Sequence, residues 1–290
     1  MINLERVATF LAVATCGSFR GAARNTGLSQ PAVSQQVKWL EQSLNVNLIT
    51  RNNAGSTLTP EGRAFLPYAE NLVKTCDRAS ALFKKNSLVI GASSNTGIYL
   101  LQPYLKAYTD VSPHKLEVII GANTIIADKL QNFEVDVAIM EWWDNRPGFV
   151  ATIWRRENLV LIVPPHHPWA GMRDIPRDWL KGLDFLGGEA GSGTGHLLQQ
   201  YLGDDASTIG VSMQLGSTEA VKHAVQAGLG ISLVMAAAVV DEDRSGLLHA
   251  IPIAGEPLRK TLHVIRRDCG QHDVLASKFA DFLLNRVSTD

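Results

Sequence analysis

No stretch of this chain approaches the roughly 18 uncharged apolar residues that a membrane-spanning helix needs, so no membrane partner is expected. Glu5 and Arg6 stand where a secretion signal needs an apolar core, and a cytoplasmic location is the expectation. Cysteine is scarce. Cys16, Cys76 and Cys269 are far apart and odd in number, which argues against a disulfide framework or a metal knuckle. Motifs of catalysis are missing too. The glycine-rich stretch 191–195 lacks the dinucleotide spacing and its downstream ribose acid. His166 and His167 lie beside prolines with no third ligand at metal spacing. With no serine elbow and no P-loop, no catalytic residue, metal or cofactor is expected, and an enzyme is the less favoured reading.

What is present is ordinary in bulk. At 290 residues and 46% hydrophobic, the chain is a globular protein of two or more domains. Its net charge of −1 hides an asymmetry. Residues 1–87 hold ten Lys/Arg against five acids, while the remainder holds 17 against 23. A basic head on an acidic body suggests that the head meets a polyanion and the body does not.

The head reads as a winged helix-turn-helix. Leu4, Val7, Phe10, Leu11 and Ala14 form one apolar helix face that ends near Gly17. Ser18 caps a short helix carrying Phe19, Ala22 and Ala23, closed by Gly27. Ser29 caps a third helix with Pro31 in its first turn and Val33, Val37, Leu40 and Leu44 as its buried stripe. The opposite face offers Gln30, Ser34, Gln35 and Lys38. Amides there suit base edges in the major groove, and a cation suits phosphate, although an ordinary solvent face has the same composition. Residues 48–51 and 57–59, joined by Asn52, Asn53, Ala54 and Gly55, read as a hairpin wing with Arg51 at its base.

These residues resemble the DNA-binding domain of LysR-type transcriptional regulators. The likeness rests on Gly17-Ser18-Phe19, Ala22-Ala23, the run from Ser29 to Ser34, Leu40-Glu41, Leu44, Leu48, Arg51 and Leu58-Thr59-Pro60-Glu61-Gly62. Thr50 and the polar pair Asn52-Asn53 depart from the family's usual wing. DNA contact is expected from Ser29, Gln30, Pro31, Ser34, Gln35, Lys38 and Arg51.

Thr59 and Pro60 then open a helix running to about residue 86. Phe65, Ala69, Leu72, Cys76, Ala79 and Phe83 recur at alternating spacings of four and three, a heptad seam expected to pair with a second chain. The alternative is that the seam packs on its own protein. The resemblance implies a linker helix that dimerises, and a tetramer beyond that.

From residue 87 strands and helices alternate, which implies a mainly parallel sheet covered on both faces. Strands are expected at 88–91, 116–120, 135–140, 159–163, 185–186, 211–215, 231–234 and 262–266. Helices are expected at 98–108, 195–202, 218–227 and 274–284. Segments 88–105, 123–141, 159–170, 189–194 and 216–234 resemble the effector domain of the same family. That likeness implies an α/β body of two lobes, like a periplasmic binding protein, crossed by the chain near 161–164 and 262–266. The expected division is a winged helix-turn-helix over 1–59, a linker helix over 60–86, and an effector domain over 87–290. Lobe one covers about 87–161 and 267–290, and lobe two about 162–266.

Ligands of open α/β sheets bind beyond strand ends, at helix N-termini. Ser93, Ser94, Asn95 and Thr96 follow one strand, and Asn123 and Thr124 follow the next. Ser192, Gly193 and Thr194 open a helix with His196 in its first turn, and Ser217 precedes another. Each set also has the chemistry of a plain helix cap. Facing one cleft, as the resemblance implies, they favour a small anionic effector. His196 stands where many family members carry Arg, which makes its charge dependent on pH. Trp142 and Trp143 either wall the pocket or pack the lobe.

The reading is a sequence-specific LysR-type regulator whose effector binds between two α/β lobes. Its expected partners are double-stranded promoter or operator DNA, the effector, further copies of the chain, and RNA polymerase. The alternatives are a solute-binding protein and an α/β enzyme with a DNA-binding head.

Overall fold

The computed structural model describes residues 2–52, 55–81, 87–188, 194, 197, 210–268 and 274–286. Two compact units divide the chain, Met1–Lys85 and Asn86–Asp290.

Three capped helices make the first unit. Helix α1 (Leu4–Cys16) starts at Asn3, whose side chain accepts from the Arg6 N–H, and stops at Gly17, with φ at 62°. Ser18 caps α2 (Phe19–Thr26) and Ser29 caps α3 (Gln30–Leu44), each accepting an N–H three residues on. Val7, Phe10 and Val13 of α1 meet Ala22 of α2 and Val33, Val37 and Leu40 of α3, all buried. Strands β1 (Ile49–Asn52) and β2 (Gly55–Leu58) form the hairpin wing. Both backbone amides at the start of that wing, Leu48 and Ile49, donate to Glu41 Oε1. The Thr59 hydroxyl caps α4 (Pro60–Ala81) by accepting from Gly62 N–H, and it donates to the Asn47 carbonyl. A Cβ on Gly62 would stand 2.0 Å from the Leu48 carbonyl oxygen, so only glycine lets α4 lie this close to the chain entering the wing.

The heptad seam on α4 is divided in a way its spacing does not reveal. Phe65 stacks on Phe10 with ring centroids 5.6 Å apart, and Ala69 is fully buried against the head. Leu66 and Val73 join the same cluster. The first half of the seam is thus covered by this chain's own head, because α1 packs along it. Leu72 is 41% exposed and Tyr68 is also exposed, which leaves that face uncovered. Phe83 lies outside the described residues.

In the second unit, β3 (Ser87–Ser93) leads through a π-helical turn, Thr96–Leu100, into α5 (Gln102–Thr109). One helix over 98–108 was the expectation; Pro103 in the first turn of α5 restarts it instead. A Cβ on Gly97 would meet Ile120 at 2.8 Å, so the turn rests directly on the neighbouring strand. Then come β4 (Lys115–Gly121), α6 (Asn123–Gln131), β5 (Val137–Met140) and the long β6 (Phe149–Val163). Strands β7 (Asp184–Gly187) and β8 (Gly210–Gln214) pair in parallel. They are followed by α7 (Thr218–Gln226), β9 (Ser232–Met235), α8 (Val240–Arg244), β10 (His249–Ile251), β11 (Arg259–Arg267) and α9 (Val274–Arg286).

Lobe one is the sheet β4-β3-β5-β11-β6, parallel across its first three strands and antiparallel beyond. The expected mainly parallel sheet therefore holds for only part of it. Strand β6 serves both lobes. Its residues up to Asn158 pair with β11, and from Leu159 it pairs with β9 and then β10. The crossings fall at Asn158/Leu159 and Leu258/Arg259, a few residues before the expected positions, and the Leu159 N–H donates to the Leu258 carbonyl at 2.7 Å. Residues 149–158 were not expected as strand, since Arg155, Arg156 and Glu157 interrupt the apolar pattern. Arg155 pairs with Glu157 instead, at 2.5 Å along the strand.

Candidate functional site

The head presents α3 with one face buried and the other open. Gln30, Pro31, Gln35 and Lys38 are exposed, and Ser34 is half-buried. Pro31, Ser34, Gln35 and Lys38 line one side of a hollow of about 490 Å³, with Asn47 and Ile49 on the wing side. Ser29 is exposed as the cap of α3. Arg51 lies in β1 opposite Ser56. Two features were not read from the sequence. Gln36 takes a hydrogen bond from Thr9 and ties α3 to α1, and Arg6 lies over the exposed Trp39 ring at 5.0 Å. Amides and a lysine on the open face of a helix match what the major groove displays.

In the body, the carboxyl ends of β3, β4 and β5 lie side by side. Ser93 donates to Thr96 Oγ1 at 2.9 Å, and both side chains are buried within the fold. Ser93 and Thr96, both expected to offer hydroxyls to a ligand, thus lie inside the fold. Thr124 is exposed on the first turn of α6. Ser217 is exposed and caps α7, accepting from Ala220 N–H at 3.2 Å. Ser192, Gly193 and His196 lie outside the described residues. Trp143 packs edge-on against Phe149 in lobe one, 5.5 Å between centroids.

Among the described residues, side-chain hydrogen bonds join the lobes at three points. Thr218 donates to Asn95 Oδ1 at 2.7 Å. Tyr99 donates to Glu219 Oε1 at 2.7 Å. Lys260, on β11, donates to Glu141 Oε2 at 2.5 Å and to Thr194 Oγ1 at 3.0 Å. Lys260 and Glu141 are 2% and 6% exposed, so this is a buried ion pair. Sequence reasoning missed it. Glu141 appears there only as the residue before two tryptophans, and Lys260 sits in a polar stretch with no pattern to mark it. The backbone of Glu141 is held on both sides by buried Asn123, which accepts from its N–H and donates to the Trp142 carbonyl.

The second inter-lobe contact is a charged cluster. Lys222 stands 2.7 Å from both Glu219 and Glu242, and its ammonium also reaches the Ala238 carbonyl. Burial alone would raise Glu219, yet hydrogen bonds from Lys222 and Tyr99 hold it below the usual carboxylate range. Burial and the Glu219 contact push the Tyr99 phenol up, so it stays protonated as a donor.

A capped three-helix head with a wing, followed by a two-lobe α/β body, defines a class: a DNA reader coupled to a ligand-binding module. The chain belongs to the LysR family. Residues 4–63 match the bacterial regulatory helix-turn-helix of that family, and residues 84–288 match the LysR substrate binding domain. It is 43% identical over 196 residues to the putative HTH-type transcriptional regulator protein PtxE of Stutzerimonas stutzeri, covering 67% of this chain and all of that one. It is 30% identical to the probable RuBisCO transcriptional regulator of Cyanidioschyzon merolae, with 98% of each chain covered. The crystal structure of CbnR, a LysR family transcriptional regulator, has the same fold, with a TM-score of 0.68 at 18% identity over the whole of both chains.

Proposed function

We propose that this LysR-type regulator reads operator DNA with α3 and answers to a small anion held between its lobes. The observation that carries the DNA half is the division of α3. Val33, Val37 and Leu40 are buried, while Gln30, Gln35 and Lys38 stand open. In this reading Ser34 and Gln35 contact bases, with Gln30 and Pro31 at the groove entrance. Ser29, Lys38 and Arg51 serve the phosphates. A gel-shift with operator DNA tests it. Gln35→Ala lowers discrimination by about 1–3 kcal/mol, as loss of a bidentate base contact does. Lys38→Ala instead weakens binding to every sequence and flattens the salt slope. Equal loss of specific and non-specific affinity in Gln35→Ala rules out base reading.

For the effector, the support is a buried cation, Lys260, beside the Thr194 hydroxyl where the lobes meet. Ser94, which follows β3, is a further polar group of the cleft. The task of the body is then binding and not catalysis, and a cytoplasmic location follows from its work on DNA. Oligomers form through the uncovered face of α4, which shows Tyr68 and Leu72. Leu72→Asp places a carboxylate on that contact, and sedimentation at high dilution then finds monomer.

A further inference from the structure

The buried pair at the lobe junction has hydrogen-bonding capacity left over. An ammonium carries three protons, and Lys260 gives two of them, to Glu141 and Thr194. Thr194 accepts through its oxygen and so keeps its own O–H to give. Glu141 accepts through Oε2, and its Oε1 has no hydrogen-bond partner among the described residues. Both charged side chains are more than nine-tenths buried. Hydrogen bonds to ionised groups are stronger than those between neutral ones. Continuing the β3–β5 register, in which Ala92 faces Ile139, brings Ser94 level with Glu141. The open valences therefore lie at the strand ends where the effector is read to bind.

The pair is also neutral as a whole. The other acid near Lys260, Glu157, faces it across β6 and β11 but stands 2.5 Å from Arg155. An anion made only of acceptors meets the attraction of Lys260 together with the repulsion of Glu141, and it leaves Oε1 unpaired. An anion that carries an O–H beside its charge satisfies all three groups. Its acceptor oxygens take the Lys260 and Thr194 protons, and its own proton goes to Glu141 Oε1.

We infer that the effector is a small anion bearing its own hydrogen-bond donor, a hydroxy acid or a protonated oxyanion, and that Glu141 is the residue that demands the donor. This rests on the anion reading of the cleft given above. Asn123 supports the assignment, because it fixes the Glu141 backbone before any ligand arrives.

Calorimetric titration of the full chain at slightly alkaline pH tests it with two matched pairs of probes, hydrogen phosphate against sulfate and glycolate against acetate. The donor-bearing member binds about tenfold tighter or more, as expected for a hydrogen bond to a charged acceptor. Glu141→Gln keeps the side-chain shape and adds a donor, so it narrows that ratio to about threefold or less. If sulfate and acetate bind as tightly as their partners, the inference fails and the anion reading stands. A ratio unchanged in Glu141→Gln removes Glu141 as the selecting residue. If none of the four binds, the anion reading falls and the inference falls with it.

Discussion

Hydroxyls and amides do local work in the head and long-range work in the body. Ser18, Ser29 and Thr59 each stand just before a helix and cap it, three residues ahead of the N–H they accept. Glu41, seven residues from Leu48, pins the start of the wing. In the body, the side-chain contacts that join the lobes span 123 residues for Asn95 and Thr218 and 66 for Thr194 and Lys260. The helix starts of one region are built by rules that act within a turn of helix. The other is built by a chain that crosses between lobes twice. The difference can be probed by damaging each region where its own logic is strongest.

The largest effect is expected in the body. Lys260→Met leaves the Glu141 carboxylate buried without its counter-ion, at a cost of about 3–5 kcal/mol. Adding Glu141→Leu recovers most of that, since an apolar pair of similar size is often neutral or better. Denaturant unfolding of the full chain measures both. A single-variant loss no larger than a surface substitution would show that the pair is hydrated, and the contrast between buried body chemistry and local head chemistry would weaken.

In the head, the corresponding injury is steric. Gly62→Ala puts a Cβ 2.0 Å from the Leu48 carbonyl oxygen, a backbone atom that cannot swing aside. The expected cost is about 1–3 kcal/mol of overpacking. DNA affinity drops in a gel-shift while anion binding by the body is kept. Loss of both together would mean that the two units fail as one.

These two sites also show what a sequence discloses. The head was legible nearly to its caps, because Gly17, Ser18, Gly27, Ser29, Pro31 and Thr59 are punctuation with a local mechanism. Gly62 was visible as part of a motif, but its reason, a close approach to Leu48, is tertiary. The strands of the body were mostly legible from apolar runs. The first half of β6 was not, because Arg155, Arg156 and Glu157 break its apolar run, and Arg155 and Glu157 pair along the strand. The cleft was half legible. Ser217 has the cap's position and does the cap's work, whereas Thr96 has the same chemistry and is buried against Ser93. No spacing rule separates these outcomes. Nor does any periodicity mark Lys260, whose importance comes from partners 66 and 119 residues away.

The smallest effect is the most informative about how the lobes are tied. Tyr99→Phe removes one inter-lobe hydrogen bond, from the phenol to Glu219, and leaves the ring. Glu219 keeps Lys222 as a partner at 2.7 Å, so the loss at neutral pH is about 1 kcal/mol, typical of one hydrogen bond. Its dependence on pH has a definite sign. Glu219 is held below its ordinary 4.5 in the folded protein, as hydrogen bonds from Lys222 and Tyr99 outweigh the upward push of burial. A carboxylate depressed by folding stabilises above its unfolded value, and that contribution is lost as pH falls through the lower folded value. The difference between Tyr99→Phe and the unaltered chain, measured by urea unfolding, therefore shrinks as the solution is acidified below the carboxylate range. The phenol itself stays protonated across that range, since burial and Glu219 both push it up. A difference that persists undiminished in acid would mean that the phenol serves a partner other than the carboxylate. The tie between the lobes at this point would then not depend on the charge of Glu219.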